Sequence, residues 1–359
     1  MKIACFGDMG LFGKNALENN PNVIERFEII KEFLQTNKYD IVLANLETPM
    51  TNAKKTIGGK SAYLKCSPGN IKILEDIGIT HVTVANNHMF DYGKEGFKDT
   101  LDELERSKIE YFGTREKPNL QVQNVMFRGY CCFSTNARGL REENKEYINV
   151  LNYNKAINDL DEDKKNGLIS LMSIHWGQEH VNIPNYNDII LVNDFLKHNK
   201  LIVHGHHPHV LQPIIEKGDS VIAYSLGNMF FDDVYTKKSD KPLVKMTENN
   251  NTTCLLEINI NNENDITYKT YGIKDDGTKL IFVDKVFNEE WEELLKLSKD
   301  DYISKRERII QERLSIRKNQ RNLSWYIKRL NLESIKMMYQ AKKNKKEYNK
   351  NIKVFLERQ

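Results

Sequence analysis

The chain has 359 residues, 40% hydrophobic and 29% charged, with a formal net charge of +3. That balance predicts an ordinary globular protein with room for one large catalytic domain and an appendage. No apolar run reaches the roughly 18–20 residues needed to cross a bilayer, and the five scattered cysteines (Cys5, Cys66, Cys131, Cys132, Cys254) lack C-x-x-C spacing. An odd number of unpaired-looking cysteines argues against a disulfide framework or structural zinc and for buried thiols.

The N-terminal MKIACFGD offers one lysine and passes directly into a strand-like run, without the apolar core of a signal peptide. A cytoplasmic location, with peripheral attachment to a membrane as the alternative, is the expectation. The charge is uneven. Residues 301–359 hold 17 Lys/Arg against 6 Asp/Glu, a balance of +11, while the first 300 hold 36 against 44, a balance of −8. An acidic body with a basic tail implies two functional parts.

Short apolar runs alternate with helical patterns through the first 230 residues. KIACF (2–6) reads as a strand and VIERFEIIKEFLQ (23–35) as a helix, with Val23, Phe27, Ile30 and Leu34 on one face. DIVLA (40–44) is a strand. NIKILEDIG (70–78) and ITHVTVA (79–85) repeat the helix-then-strand cycle, with Gly78 placed as a C-cap. KEGFKDTLDELERSK (94–108) is an amphipathic helix leading into IEYFG, and VQNVMFRGYCCFS (122–134) is a hairpin. LISLMSI (168–174), NDIILVNDFLKHN (187–199) and LIVHG (201–205) continue the alternation, which predicts a mostly parallel sheet covered by helices. PIIE, SVIAYS, TCLLEINI and ITYKTYGI then suggest an antiparallel meander. No Gly or Pro follows Gly277, and from about 287 the chain reads as charged helices with apolar clusters at WEELLKL, YIKRL and IKMMY. The expected division is a body over 1–285 and a basic helical extension over 286–359.

Polar residues gather just after the predicted strands, at the carboxyl edge where open α/β sheets bind ligands. KIACF is followed by Asp8, DIVLA by Asn45, Leu46 and Glu47, and ITHVTVA by Asn86, Asn87, His88 and Asp91. LISLMSI leads to His175, Trp176 and Glu179. LIV leads to HGHHPHV, which holds four of the chain's nine histidines. Carboxylates, an amide oxygen and neutral imidazoles suit one or two divalent ions such as Mn, Fe or Zn. Two ions about 3.5–4 Å apart can bind a phosphoryl oxygen and activate water, with a nearby histidine protonating the leaving group.

The order Asp, acidic residue, Asn-His, His, Gly-His…His resembles that of calcineurin-like metallophosphoesterases. More closely, GD (7–8), NLE (45–47), ANNHMFDYG (85–93), HWGQE (175–179), GHHPHVLQP (205–213) and YSLGN (224–228) resemble the CapA (poly-γ-glutamate capsule biosynthesis) family, from residue 1 to about 235. The resemblance implies a metallophosphatase-like, four-layer α/β/β/α sandwich with the helical extension appended. It implies Asp8, Glu47, Asn87, His175, His206 and His209 as metal ligands, Glu47 bridging, and His88 as proton donor oriented by Asp91. Asn45, Asn86, Trp176, Glu179, His207 and Asn228 are the expected substrate-binding residues. The family word reads Gly-His-x-x-His, which ranks His207 below His206 and His209, and His204 stays on the strand. Two positions depart from the phosphoesterase pattern: Asp8-Met9-Gly10 lacks the histidine of Asp-x-His, and a glutamate replaces the bridging aspartate.

The reading that follows is a metal-dependent hydrolase of capsule or cell-envelope polymer metabolism acting on a phosphoester. Cleavage of a γ-glutamyl amide, or a non-catalytic role in a polymer-synthesis complex, are the alternatives. An anionic polymer or phosphorylated molecule is the expected substrate. The basic tail, with five lysines in AKKNKKEYNK, invites a membrane-associated polymer-synthesis complex as partner rather than nucleic acid. Solvated lysines, or docking on the acidic body, are the bland readings of the same segment. Lys65 is a candidate anion contact. His81 is expected to hydrogen-bond in the core, and His180 and His198 to lie at the surface or behind the site.

Overall fold

The computed structural model describes residues 1–57, 60, 62–135, 147–236, 239–284, 290–319 and 332–356. In chain order the elements begin β1 (Lys2–Met9), α1 (Glu28–Asn37), β2 (Ile41–Leu46), α2 (Ile71–Ile77), β3 (His81–Thr83), α3 (Gly93–Arg106), β4 (Glu110–Phe112), β5 (Asn119–Val122) and β6 (Val125–Cys131). There follow α4 (Tyr153–Lys165), β7 (Ile169–His175), α5 (Tyr186–Phe195), β8 (Leu201–His206), β9 (Ile214–Lys217), β10 (Ser220–Ala223), β11 (Asn228–Phe230), β12 (Val234–Thr236) and β13 (Ser239–Val244). β14 (Thr252–Ile260), β15 (Ile266–Asp275), β16 (Leu280–Val283), α6 (Glu290–Lys296), α7 (Lys299–Asn319) and α8 (Leu332–Leu356) complete the chain.

The described strands form two large sheets, as the four-layer resemblance implies and the alternation alone does not, and a two-stranded ribbon of β12 and β13. The first runs β16-β15-β14-β1-β2-β3-β4, with β11 beside β1. The second runs β5-β6-β7-β8-β10-β9. β1 to β4 are mutually parallel, as are β6, β7, β8 and β10. The expected meander is divided: β9 and β10 close the second sheet, whereas β14, β15 and β16 extend the first.

Side-chain alternation along the strands explains the stacking. Ile3, Cys5, Ile41 and Leu43 point inward to meet Ile169, Leu171, Ile202 and Val221 of the other sheet. Their neighbours Ala4, Phe6, Val42 and Ala44 face outward onto α1, α2 and α3 through Ile30, Leu34, Leu74 and Leu104. On the far side, Met172, Ile174, Val203 and Ile222 pack under Ala156, Leu160, Leu191 and Phe195 of α4 and α5. Helix, sheet, sheet, helix is therefore the layer order. Strands buried on both faces read as unbroken apolar runs, and β1, β2, β7 and β8 do so. All five cysteines are buried free thiols.

Gly7 and Gly205 mark where backbones crowd. A Cβ on Gly7 would overlap the carbonyl of Gly227, and one on Gly205 that of Tyr224. The gap left by Gly7 lets β11 lie against the end of β1, where Asp8 N donates to Gly227 O at 2.9 Å.

The expected boundary at 285/286 falls at 285–289, outside the described residues. Beyond it, Leu294 of α6 and Tyr302 of α7 pack on Val181 and Ile183, and Ile352 of α8 enters the layer beneath α4 and α5. YIKRL lies outside the described residues. Of IKMMY, Ile335, Met338 and Tyr339 are exposed. No described helix is long and apolar enough to cross a membrane.

Candidate metal centre

The carboxyl ends of β1, β2 and β3 in one sheet and of β7 and β8 in the other open onto one rim. Asp8, at the end of β1, is fully buried. Its Oδ1 accepts from Asn45 Nδ2 at 2.7 Å and its Oδ2 from the His207 backbone N–H at 3.0 Å. Asn45 Oδ1 in turn accepts from Asn86 Nδ2 at 3.1 Å. Asn86 also donates to Leu46 O and caps the backbone N–H groups of His88 and Met89. These two asparagines, expected to bind substrate, spend their polar atoms instead on holding Asp8 and shaping the Asn-Asn-His loop.

Glu47 sits at the centre. Neither of its carboxylate oxygens has a hydrogen-bond partner among the described residues, yet the side chain is wholly buried. Glu47 Oε1 lies 3.7 Å from both His175 Nε2 and His209 Nε2, and 4.0 Å from His88 Nε2. Asn87 Oδ1 is 3.0 Å from His175 Nε2. An unsatisfied buried carboxylate costs several kcal/mol. Donors held about 2.0–2.2 Å from one tetrahedral ion stand about 3.4 Å apart, close to these separations. The residues present therefore fit a divalent cation. Among the described residues, two groups of three have their donor atoms mutually within 4.8 Å: Asp8, His175 and His206, and Glu47, His207 and His209.

That grouping promotes His207. It is 1% exposed, takes φ 97° in the turn after β8, and its Nδ1 has no hydrogen-bond partner among the described residues. His206 is differently placed. Its Nε2 meets Ser173 Oγ at 3.0 Å and its Nδ1 meets His175 Nδ1 at 2.7 Å, so both ring nitrogens are engaged within the protein. The Gly-His-x-x-His word favours His206; the geometry gives His207 the ring atom aimed at nothing else.

Burial keeps these rings neutral, as ligand imidazoles must be. It drives the proton affinity of His175 and His206 well below the ordinary value, reinforced by neighbouring histidines, and that of His207 to about 3. Burial likewise raises Glu47 well above the usual carboxylate range, with Asp8 adding to the effect.

His88 stands at the outer side of the cluster, its side chain 13% exposed. Its Nδ1 is 2.8 Å from Asp91 Oδ2, which turns Nε2 toward Glu47. Lys60 completes this corner and was not foreseen. Its Nζ donates to Asn87 O at 3.0 Å, reaches His88 Nδ1 at 3.1 Å, and pairs with Asp91. Burial alone would raise the Asp91 carboxyl, but Lys60 and His88 bring it below its ordinary value. Burial and the Lys60 charge depress His88 against the pull of Asp91. The one signal for Lys60 is a lysine after two glycines, in TIGGKSAY.

The other expected residues divide. Asn228 Oδ1 meets His209 Nδ1 at 2.8 Å and Asn228 Nδ2 donates to Asn250 O, so it orients a candidate ligand. Glu179 is half-buried on the loop after β7 and acts electrostatically on Glu47, His88 and His207. Trp176 faces away: it is 1% exposed in the outer core and its indole N–H donates to Tyr224 O. Lys65 donates to Ala53 O and lies over the Tyr92 ring. His81 bonds Thr80 and stacks on Phe127, His198 meets Asp161, and His180 contacts Asn250 behind His209.

All the residues of this rim, from Asp8 to Asn228, lie within residues 2–233, which match the family described as bacterial capsule synthesis protein PGA_cap. The chain belongs to the PGA_cap family. It is 31% identical over 242 residues to the PGA biosynthesis protein CapA of Bacillus subtilis (strain 168), covering 65% of this chain and 63% of that protein. It is 29% identical over 248 residues to the capsule biosynthesis protein CapA of Bacillus anthracis, covering 65% and 60%. The PGA_cap chain thus spans under two thirds of the length of these relatives. Among solved structures, a Staphylococcus aureus chain described as a candidate 5′-nucleotidase in complex with alpha-ketoglutarate superposes at a TM-score of 0.42 with 13% identity, covering 84% of this chain and 57% of that one.

Proposed function

We propose that this PGA_cap protein is a metal-dependent hydrolase that cleaves a phosphoester in capsule or poly-γ-glutamate metabolism. One observation carries the reading: the unpartnered, buried Glu47 carboxylate lies among the Nε2 atoms of His175, His209 and His88. Asp8, Glu47, Asn87, His175, His207 and His209 would hold the cation. A divalent ion so held supplies a Lewis acid for a phosphoryl oxygen and a lowered pKa for water. The protein's own part is positional. Asn45 and Asn228 fix Asp8 and His209, while Asp91 and Lys60 fix His88 with Nε2 at the exposed side, where it exchanges a proton with substrate.

Purified protein is expected to contain Mn, Fe or Zn by elemental analysis and to hydrolyse an aryl phosphate. Asp8→Asn and His209→Ala are expected to lose both. Protein that takes up no divalent ion overturns the reading. Cleavage of a γ-glutamyl amide is the second reading, favoured by the poly-γ-glutamate association of the Bacillus subtilis relative. Metal-loaded protein that shortens polyglutamate and leaves the aryl phosphate intact would select it.

A further inference from the structure

A line of hydrogen bonds runs from the first sheet to the centre through His204 and Ser173, which no ligand role requires, then through His206 to the candidate ligand His175. His204 Nε2 lies 2.6 Å from the backbone carbonyl oxygen of Phe6, on β1. His204 Nδ1 is 2.9 Å from Ser173 Oγ, which is 3.0 Å from His206 Nε2. His206 Nδ1 is 2.7 Å from His175 Nδ1, and His175 Nε2 ends the line beside Asn87 Oδ1 and Glu47 Oε1. His204, Ser173, His206 and His175 are each 0% exposed.

The direction of this line is set at the Phe6 end. A backbone carbonyl only accepts, so His204 Nε2 carries the hydrogen and, with one proton per ring, His204 Nδ1 is an acceptor. Ser173 must then donate its hydroxyl hydrogen to His204, which leaves Oγ to accept from His206 Nε2–H. His206 Nδ1 is consequently a lone pair and accepts from His175 Nδ1–H. His175 is left with its Nε2 lone pair facing Asn87 Oδ1 and Glu47 Oε1. Three rings and one hydroxyl supply four hydrogens for five contacts, so one contact must oppose two lone pairs. At the Phe6 end the opposed acceptor is a fixed backbone carbonyl at 2.6 Å, costing roughly 1–3 kcal/mol or more. At the Asn87 end the separation is 3.0 Å, and a cation, or rotation of the Asn87 amide whose Nδ2 has no partner among the described residues, relieves it.

We propose that His204, Ser173 and His206 form a relay that holds His175 in its Nδ1–H tautomer and presents the Nε2 lone pair to the cation. In it His206 is a positioning residue rather than a ligand. Partners of this kind orient metal-bound histidines, and losing one typically costs 10–100-fold in metal affinity. The relay also ties the ligand to both sheets, because Phe6 belongs to one and Ser173, His204 and His206 to the other. This inference rests on the metal-centre reading for its purpose but not for its existence, since the hydrogen positions are a property of the protein alone.

The test is nitrogen-15 NMR of histidine-labelled, cation-free full-length protein, with His175 assigned by the signals lost in His175→Gln. Wild type and Ser173→Thr, which keeps the hydroxyl, are expected to show His175 protonated at Nδ1 alone. Ser173→Ala and His204→Phe are expected to show a mixture or the Nε2–H form. Cobalt(II) affinity, followed by its visible absorption, is expected to fall at least about 10-fold in both and to be retained in Ser173→Thr. A wild-type His175 protonated at Nε2, or a tautomer unchanged by Ser173→Ala, overturns the relay. If wild type binds no cobalt(II), the metal reading fails while the tautomer measurement still decides the relay. Should His204→Phe not fold, the Ser173 pair decides alone.

Discussion

Lys60 Nζ stands 3.1 Å from His88 Nδ1 and 3.0 Å from the Asn87 carbonyl oxygen, with the Asp91 carboxylate on its third side. The lysine side chain is 2% exposed and Asp91 0%. Breaking a buried pair by removing one partner typically costs about 3–5 kcal/mol, because the other charge stays behind. Lys60→Met is therefore expected to lose stability of that order in urea unfolding. Its His88 is expected to titrate higher, freed from the lysine charge that depresses it. A loss under about 1 kcal/mol would show that the pair does not anchor the Asn-Asn-His loop.

The buried imidazoles predict an acid-sensitive, cation-free protein. His204 is held down to about 4 and His207 to about 3, with His175 and His206 also well below the usual value. An unfolded histidine titrates near 6.5, so between pH 6.5 and 4 the unfolded chain binds protons that the folded chain refuses. The stability contributed by these rings is present above 6.5 and lost as the pH falls. Glu47 and Asp188, whose folded affinities are raised, oppose this, but as two groups against four rings. Urea midpoints at pH 7, 5.5 and 4.5 should fall in that order, and a rising series would contradict the burial argument.

Asp188 has the opposite sign. Burial raises its carboxyl to about 7, against the pull of Arg306 and Asn185. A raised carboxyl favours folding below its unfolded value, near 4, and that contribution is lost as the pH climbs through 7. Asp188→Asn should stabilise the protein at pH 8, on the order of 2–4 kcal/mol, and do little at pH 4. Equal effects at both pH values would mean that the carboxylate is not desolvated beneath α7.

The terminal helices are load carriers for the loop after β7. Leu294 is 3% exposed against Val181, Ile183 and Tyr302. Tyr302 Oη donates to Pro184 O at 2.9 Å, and Arg306 donates to Ile183 O and Gln178 Oε1. Leu294→Ala should cost about 2–5 kcal/mol and speed hydrogen exchange at residues 178–183. Unchanged exchange there would show that the loop stands without α6 and α7.

Much of this architecture is legible in the residues, and the failures have particular causes. Asp8, Glu47, Asn87 and His175 can be placed on one rim because each directly follows an apolar run, and parallel strands end together. The division into two sheets is implied by the motif resemblance but leaves no trace in the periodicity: β1 and β7 are both buried on both faces, and alternation does not say which strand is whose neighbour. SVIAYS and TCLLEINI look alike for the same reason, yet join different sheets. Asn45 and Asn86 read as substrate contacts because their partners, Asp8 and Leu46 O, lie 37 and 40 residues away. Trp176 follows His175 in the chain but alternation sends it to the opposite face. His206 and His207 are separable only by what their ring nitrogens touch.

Gly7 and Gly205 give the centre an unusual rigidity of scale. At both positions the neighbouring carbonyl occupies the volume that any side chain would need, so backbone contact rather than side-chain size sets how near β1 comes to β11 and β8 to the Tyr224 strand end. Substitution there cannot widen the bay between Asp8 and His209 by small steps. A change in the size of the bay would have to come from the side chains that line it, with the backbone frame left untouched.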